Sequence, residues 1–153
     1  MITAKDRRHF LGTIPIFAGL GTGALSEIAA TVEEADFHAG GIVVREGEAG
    51  NRMFIIRSGC VEIVKRLGQE NETILAILGP KDFMGEMSII ECVTRSASVR
   101  AVEKTVLFGL KAIDLYHLFQ HHPDQYAIVI LNIARDLSRR LRAVDEKFLA
   151  VSH

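Results

Sequence analysis

Three different spacings of apolar and polar residues follow one another along the chain. From Arg7 to about Glu33 the spacing is helical. RRHFLG predicts a short helix, Pro15 marks a turn, and a second helix is expected from about Gly23 to Glu33, with Thr22 as its N-cap and Leu25, Ile28, Ala29 and Val32 on one face. Between Ala35 and Leu110 the period shortens. Runs rich in β-branched residues, GIVVRE, MFIIRSG, CVEIVKRL, ETILAILG, SASVRAV and KTVLFGL, alternate with glycine-marked turns. Six or more short strands at this spacing predict a closed sandwich or barrel of the jelly-roll kind. Gly40, Gly41, Gly47, Gly50, Gly59, Gly68 and Gly79 punctuate the region, and each is expected in a turn with positive φ. Helical spacing returns in KAIDLYHLFQHH, after which Pro123 opens a run reaching about Ala150. The expected fold is α+β and mainly β, a jelly roll flanked by helices. It forms a single domain over residues 1–153, with N-terminal helices in 1–34, the barrel in 35–110 and C-terminal helices in 111–150.

The last run carries a second pattern. Ile130, Ala134, Leu137, Leu141, Val144 and Phe148 are separated by 4, 3, 4, 3 and 4 residues, which is a heptad seam. Arg135, Asp136, Arg139, Arg140, Arg142, Asp145, Glu146 and Lys147 occupy the other faces. Such a stripe fits a two-stranded coiled coil between subunits, or a helix lying on the barrel of its own chain. The basic stretch RDLSRRLRA is interleaved with acids and reads as a solvated face rather than a nucleic-acid surface.

Composition narrows the class. The chain has 153 residues, 48% of them hydrophobic and 24% charged, with three prolines, as expected of one ordered globular domain. Its longest apolar run, Tyr126 to Leu131, is far short of a membrane span, and MITAKDRRHF lacks the apolar core of a secretory signal, so a cytoplasmic location is expected. Cys60 and Cys92 form no CxxC and read as two free thiols. A formal net charge of -1 supplies no global field for nucleic acid or anionic lipid, so any anion site must be local.

One such site is suggested by residues 83–101, FMGEMSIIECVTRSASVRA. Gly85 permits a sharp turn, and Glu86 to Glu91 can form one helical turn before Arg95 opens the next strand. A glycine leading into a helical turn exposes backbone N–H groups that suit a phosphate. Arg95 adds a planar, permanently charged fork and Ser96 a hydroxyl. An acid inside a phosphate site must face something else, so Glu86 reads as an acceptor for a sugar hydroxyl. Spacing alone leaves a second reading open, in which Glu86 and Arg95 are a structural ion pair across a turn.

The stretch resembles the phosphate-binding cassette (83–98) of cyclic nucleotide-binding domains, which runs Phe-x-Gly-Glu, a short apolar turn, then Arg-Ser/Thr/Ala-Ala-Ser/Thr-Val. Upstream, IPIFAGL resembles the family's opening turn, VVREGEAGNRMFIIRSGCVEIV its glycine-rich strands, and LGPKDFMGE its approach to the cassette. The separation from Glu86 to Arg95 is similar to that in regulatory subunits of protein kinase A, and the long final helix to the dimer helix of bacterial catabolite activator proteins. The resemblance implies that Glu86, next to Gly85, accepts the ribose 2'-hydroxyl and that Arg95 pairs with the cyclic phosphate. The N–H groups of Met87 and Ser88, and those near Ser96 and Ala97, would complete the cradle. Ile63, Leu75 and Met84 match positions of the apolar wall around sugar and base. The ligand so implied is cyclic AMP or cyclic GMP, with no other cofactor.

Two departures accompany the resemblance. The family's bacterial regulators continue into a helix-turn-helix that reads DNA, whereas this sequence ends at His153, so no direct DNA binding is expected. Where those regulators place hydroxyl side chains against adenine, the nearest positions here are Val144 and Asp145. The expectation is a stand-alone sensor, homodimeric through its C-terminal helix, signalling to another protein by movement of that helix. The alternative is a structural interaction module of the same fold that uses no nucleotide.

Catalytic motifs are not visible. Among His9, His38, His117, His121, His122 and His153 there is no HxH, and only His38 falls in the barrel region. His117 and His121, four apart on a helix, could offer two metal ligands, but no third is indicated. No Gly-x-Ser-x-Gly, Walker or Rossmann signature occurs, and an enzyme is not expected.

Overall fold

The computed structural model describes residues 2–91 and 94–152, without the side chains of Ser88 and Ser152. The chain divides into two compact units, residues 30–116 and residues 1–29 with 117–153.

Eight strands frame the first unit: β1 (Glu33–Phe37), β2 (Ile42–Val44), β3 (Arg52–Ser58), β4 (Val61–Lys65), β5 (Thr73–Leu78), β6 (Phe83–Met84), β7 (Ser98–Ala101) and β8 (Thr105–Lys111). They pair antiparallel in two four-stranded sheets, ordered β1-β8-β3-β6 and β2-β7-β4-β5, which is the jelly-roll arrangement. Phe54, Ile56, Val61, Met84, Val99 and Leu107 from both sheets form the core between them, and Phe37, Val43, Val44, Ile63 and Leu78 pack against it. Burial of these side chains stabilises the sandwich by roughly 1.5–3 kcal/mol each. The central strand β3 also buries Met53 and Ile55 on its other face, which explains why its sequence, RMFIIRS, is a continuous apolar run rather than an alternating one.

Two boundaries differ from expectation. The stretch Glu33–Phe37, whose first residue the helical spacing assigns to the end of a helix, is an edge strand pairing Glu33 with Gly109 and Phe37 with Thr105. Its sequence, EEADF, carries charge because one side of an edge strand faces water. β7 begins at Ser98, not at Arg95. Arg95 is held ahead of the strand, where its backbone exchanges hydrogen bonds with the turn after β2.

The helices are α1 (Ala4–Gly12), α2 (Thr22–Thr31), α3 (Glu86–Ile90), α4 (Ala112–His121) and α5 (Pro123–Ser152), with a 3-10 turn at Pro15–Phe17; α3 belongs to the first unit. Thr22 is the first helical residue of α2 rather than its cap, because the Leu25 N–H already bonds the Gly21 carbonyl. Within the second unit Asn132 on α5 donates to the carbonyls of Ile16 and Ala18, and Gln125 accepts from the Gly21 N–H. Val129 and Ile133 are buried, whereas Leu141, Val144, Phe148, Leu149 and Val151 are all more than half exposed. The C-terminal half of the seam is therefore exposed among the described residues. Arg140 pairs with Asp136 one turn earlier at 2.7 Å, as expected of a solvated face.

Candidate functional site

The site begins where β6 stops. Gly85 takes φ +82, a left-handed conformation that turns the chain directly into α3. A five-residue helix leaves most of its N–H groups without intrahelical acceptors, and those of Glu86, Met87 and Ser88 lie in its first turn. Glu86 is 8% exposed, and no hydrogen-bond or ion-pair partner of its carboxylate occurs among the described residues.

Arg95 approaches from the other arm. Its N–H donates to the Glu48 carbonyl and its own carbonyl accepts from the Gly47 N–H, both at 2.8 Å, so the backbone is tied to the turn after β2. The neighbouring bridge between Ala49 and Thr94 extends this pairing. The side chain runs inward over the Phe54 ring, with Cζ 5.9 Å from its centroid, and is 7% exposed. Nη1 donates to the Gly85 carbonyl at 3.3 Å and Nη2 to the Arg52 carbonyl at 2.8 Å. Arg95 thus bonds the residue before Glu86 and makes no ion pair with Glu86 or any other described residue, which removes the structural ion-pair reading of the two.

Electrostatics follow from this burial. Desolvation, and then the nearby Arg52 cation, push the Arg95 pKa down, while Glu48 and Glu86 push it back up. An arginine still keeps its proton under these conditions. The result is a desolvated cation whose side-chain hydrogen bonds among the described residues go to two carbonyls and to no carboxylate.

Gly50 explains how the guanidinium fits. Together with Gly41 and Gly79 it does not take positive φ, contrary to expectation. A Cβ at Gly50 would come within 2.5 Å of Arg95 Cζ, so this glycine is needed for close approach rather than for a turn. Beside it lies a cleft of about 330 Å³, whose lining includes Phe37, Val43, Val44, Glu48, Phe54 and Arg95.

The remaining expected residues fall as follows. Met87 is exposed at the start of α3, and the Ser96 hydroxyl reaches its sulfur at 3.9 Å, bringing the two arms of the cassette together. Ala97 is buried, and the N–H groups of Ser96 and Ala97 have no acceptor among the described residues. Ser88 contributes backbone to α3, and its side chain is outside the described residues. Of the apolar positions, Met84 is buried in the inter-sheet core and Ile63 is half-buried against it, paired with Ala76 and Val99. Leu75 stands beside that pair on the edge strand β5 and is 57% exposed. Phe54, Gly50 and the carbonyl of Arg52 were not anticipated. They are contributed by residues 50–54, well upstream of the cassette, so no pattern within the cassette marks them.

Cys60 is a free, half-buried thiol, and Cys92 lies outside the described residues. Instead of facing a metal site, His121 pairs with Glu27 and stacks on His117 at 6.3 Å between ring centroids. Among the described residues no group of three or more His, Cys, Asp or Glu is placed to hold a metal ion. No helix among them is long and apolar enough to cross a membrane.

Comparison with known proteins bears on the family and the fold. Residues 34–122 match the family model described as the cyclic nucleotide-binding domain. A CRP-like cAMP-activated global transcriptional regulator of Mycobacterium tuberculosis is 32% identical over 134 residues, covering 88% of this chain and 58% of that relative. The crystal structure of the Thermus thermophilus catabolite activator protein superposes with a TM-score of 0.74 at 32% identity, over 90% of this chain and 63% of that one. A cyclic nucleotide-binding domain from Methylobacillus flagellatus superposes with a TM-score of 0.82 at 22% identity, over 95% of this chain and 82% of that one, a likeness of fold.

Proposed function

The chain belongs to the cyclic nucleotide-binding domain family, and on that premise we propose that it is a regulatory sensor that binds cyclic AMP or cyclic GMP without altering it. One observation carries this reading. Arg95 is buried beside Glu86 with no carboxylate partner, at the meeting point of α3 and the unpaired N–H groups of Ser96 and Ala97. A desolvated cation of this kind costs free energy unless an anion completes it. A cyclic phosphate supplies one negative charge, and its equatorial and axial oxygens can take the guanidinium and the backbone donors together. Glu86 is then left for the ribose 2'-hydroxyl. The name of the mycobacterial relative, cAMP-activated, favours the adenine nucleotide.

Output follows from chain continuity. α4 starts at Ala112, directly after the last residue of β8, so a change in the barrel reaches α4 and α5 without an intervening linker. Ligand binding shifts these helices to the extent that it favours one of two arrangements. The exposed stripe Leu141, Val144 and Phe148 fits a second copy of the same helix, which makes the working form a homodimer that passes the change on to another protein.

A thermal-shift panel of cyclic AMP, cyclic GMP and cyclic dinucleotides tests the core of this reading. Ligand at a hundred times its Kd stabilises the fold by about 2.7 kcal/mol, a clear rise in Tm. A flat response to every cyclic mononucleotide would overturn it.

A further inference from the structure

Lys65, at the end of β4, has no place in the resemblance that points to the cassette, yet it touches the cassette's second arm. Its Nζ donates to the Ser96 carbonyl at 2.5 Å. It also pairs with Glu46 Oε2 at 3.3 Å. Glu46 is fixed in turn: its Oε1 accepts the Arg66 N–H at 3.0 Å, and its own N–H donates to the buried Ser98 hydroxyl at 2.9 Å. Glu46 and Lys65 therefore grip residues 96–98 from two sides.

We infer that Lys65, oriented by Glu46, is a positioning residue that aims the Ala97 N–H at the ligand. The Ser96 carbonyl and the Ala97 N–H belong to one planar trans peptide, in which they point in opposite directions. Fixing the carbonyl fixes the N–H. Without Lys65 that peptide would have no hydrogen bond among the described residues, because its Ala97 N–H has no acceptor there. Simple ion-pair stability does not account for the arrangement, since Glu46 and Lys65 are each about one-third exposed, at 34% and 37%, and such pairs contribute little. The ammonium instead adds one charge-assisted bond just beyond the Val64–Ser98 pair, where the β4–β7 ladder ends.

The inference rests on the nucleotide reading for its ligand but not for its test. NMR order parameters of the Ala97 N–H in ligand-free protein report the brace directly, and calorimetric titration with cyclic AMP and cyclic GMP reports its consequence. In Lys65→Met the order parameter is expected to fall from the rigid range near about 0.85 towards about 0.6. Affinity should weaken by roughly tenfold, the loss expected for one misaligned bond to a charged group. Lys65→Arg, which can still reach both the Ser96 carbonyl and Glu46, should restore both. Arg57→Met, which removes an ion pair to Glu34 in the other sheet, should change neither. An unchanged order parameter in Lys65→Met overturns the proposal, as does an Arg variant that behaves like Met, or an Arg57→Met effect of the same size. If the wild type binds neither nucleotide, the nucleotide reading fails and the order parameters still decide the brace; if it binds, an unchanged Kd in Lys65→Met also overturns it.

Discussion

The cassette and the last turns of α5 break the same rule in opposite directions. Around Gly85 the molecule buries charge: Glu86 and Arg95 are each under a tenth exposed, and the hydrogen bonds of the cation go to carbonyls rather than to a carboxylate. Along α5 it exposes apolar surface: Leu141, Val144 and Phe148 are between 59% and 71% accessible. Most sequences avoid both, because an uncompensated buried charge and an exposed apolar stripe each raise the free energy of the isolated chain. The two regions differ in what would relieve them. Buried charge calls for a small ligand of opposite sign, and the stripe calls for a second apolar surface of matching period.

The largest effect expected to sharpen this contrast comes from Arg95→Ala. Losing the guanidinium should weaken binding of cyclic AMP and cyclic GMP by about 3 kcal/mol or more, over a hundredfold in Kd by isothermal titration. The same variant should melt at or slightly above the wild-type temperature without ligand, since it removes a desolvated cation. A large fall in the ligand-free Tm with unchanged affinity would show that Arg95 serves the fold instead, and the contrast with α5 would collapse.

Next in size is the stripe. In Leu141→Glu/Phe148→Glu the apolar burial that a dimer would gain is lost, at roughly 1.5–3 kcal/mol per side chain. Sedimentation equilibrium should show a wild-type dimer and a variant that is monomeric at the same concentration, with its Tm little changed under conditions where the wild type is also monomeric. A monomeric wild type at high concentration would remove the second copy as the relief for α5.

Gly50→Ala probes the cassette more gently. The backbone there is not in the left-handed region, so alanine is tolerated locally and the effect is purely one of space. Its Cβ would lie 2.5 Å from Arg95 Cζ, and the guanidinium must shift to avoid it. Binding should weaken by about tenfold, between the wild type and Arg95→Ala, as expected from misplacing rather than deleting a charged partner. Wild-type affinity in this variant would mean that the observed seat of Arg95 is not the one the ligand uses.

How far each region could be read in sequence follows the same division. The stripe was legible because a heptad spacing is a property of one helix, and Gly85, Glu86 and Arg95 were legible because they lie within eleven consecutive residues. What stayed hidden was brought in from elsewhere in the chain. Phe54 under Arg95, Gly50 beside it and Lys65 on the Ser96 carbonyl arrive from β3, β4 and the turn before them, and no local pattern marks a residue for what it meets thirty or forty positions later. β1 was missed for a related reason. Its EEADF sequence has the composition of a helix end, and only pairing with β8 makes it a strand. The register along β5 gave less still, since most of its side chains are exposed and alternation carries no signal there.

The smallest effect concerns acid. The Arg66 N–H, and with it the Lys65 ammonium, holds the Glu46 carboxyl below its ordinary value, against a lesser opposing pull from desolvation. A carboxylate depressed in the folded state contributes stability that is fully present above its unfolded pKa and lost as pH falls through the folded value. The wild type should therefore show a urea midpoint insensitive to this group near neutrality and declining below the ordinary carboxylate range, about pH 4. Glu46→Gln should make part of that decline disappear, and added salt should shrink the difference, because the carboxylate is open to solvent. The brace adds a sharper demand. Acid that protonates Glu46 should loosen the Ala97 N–H before the sheets melt, so its order parameter should fall at a higher pH than the global transition. Should the order parameter and the global signal change together, the second arm of the cassette would have no local stability of its own, and its buried charge would be held by the whole sandwich rather than by Glu46 and Lys65.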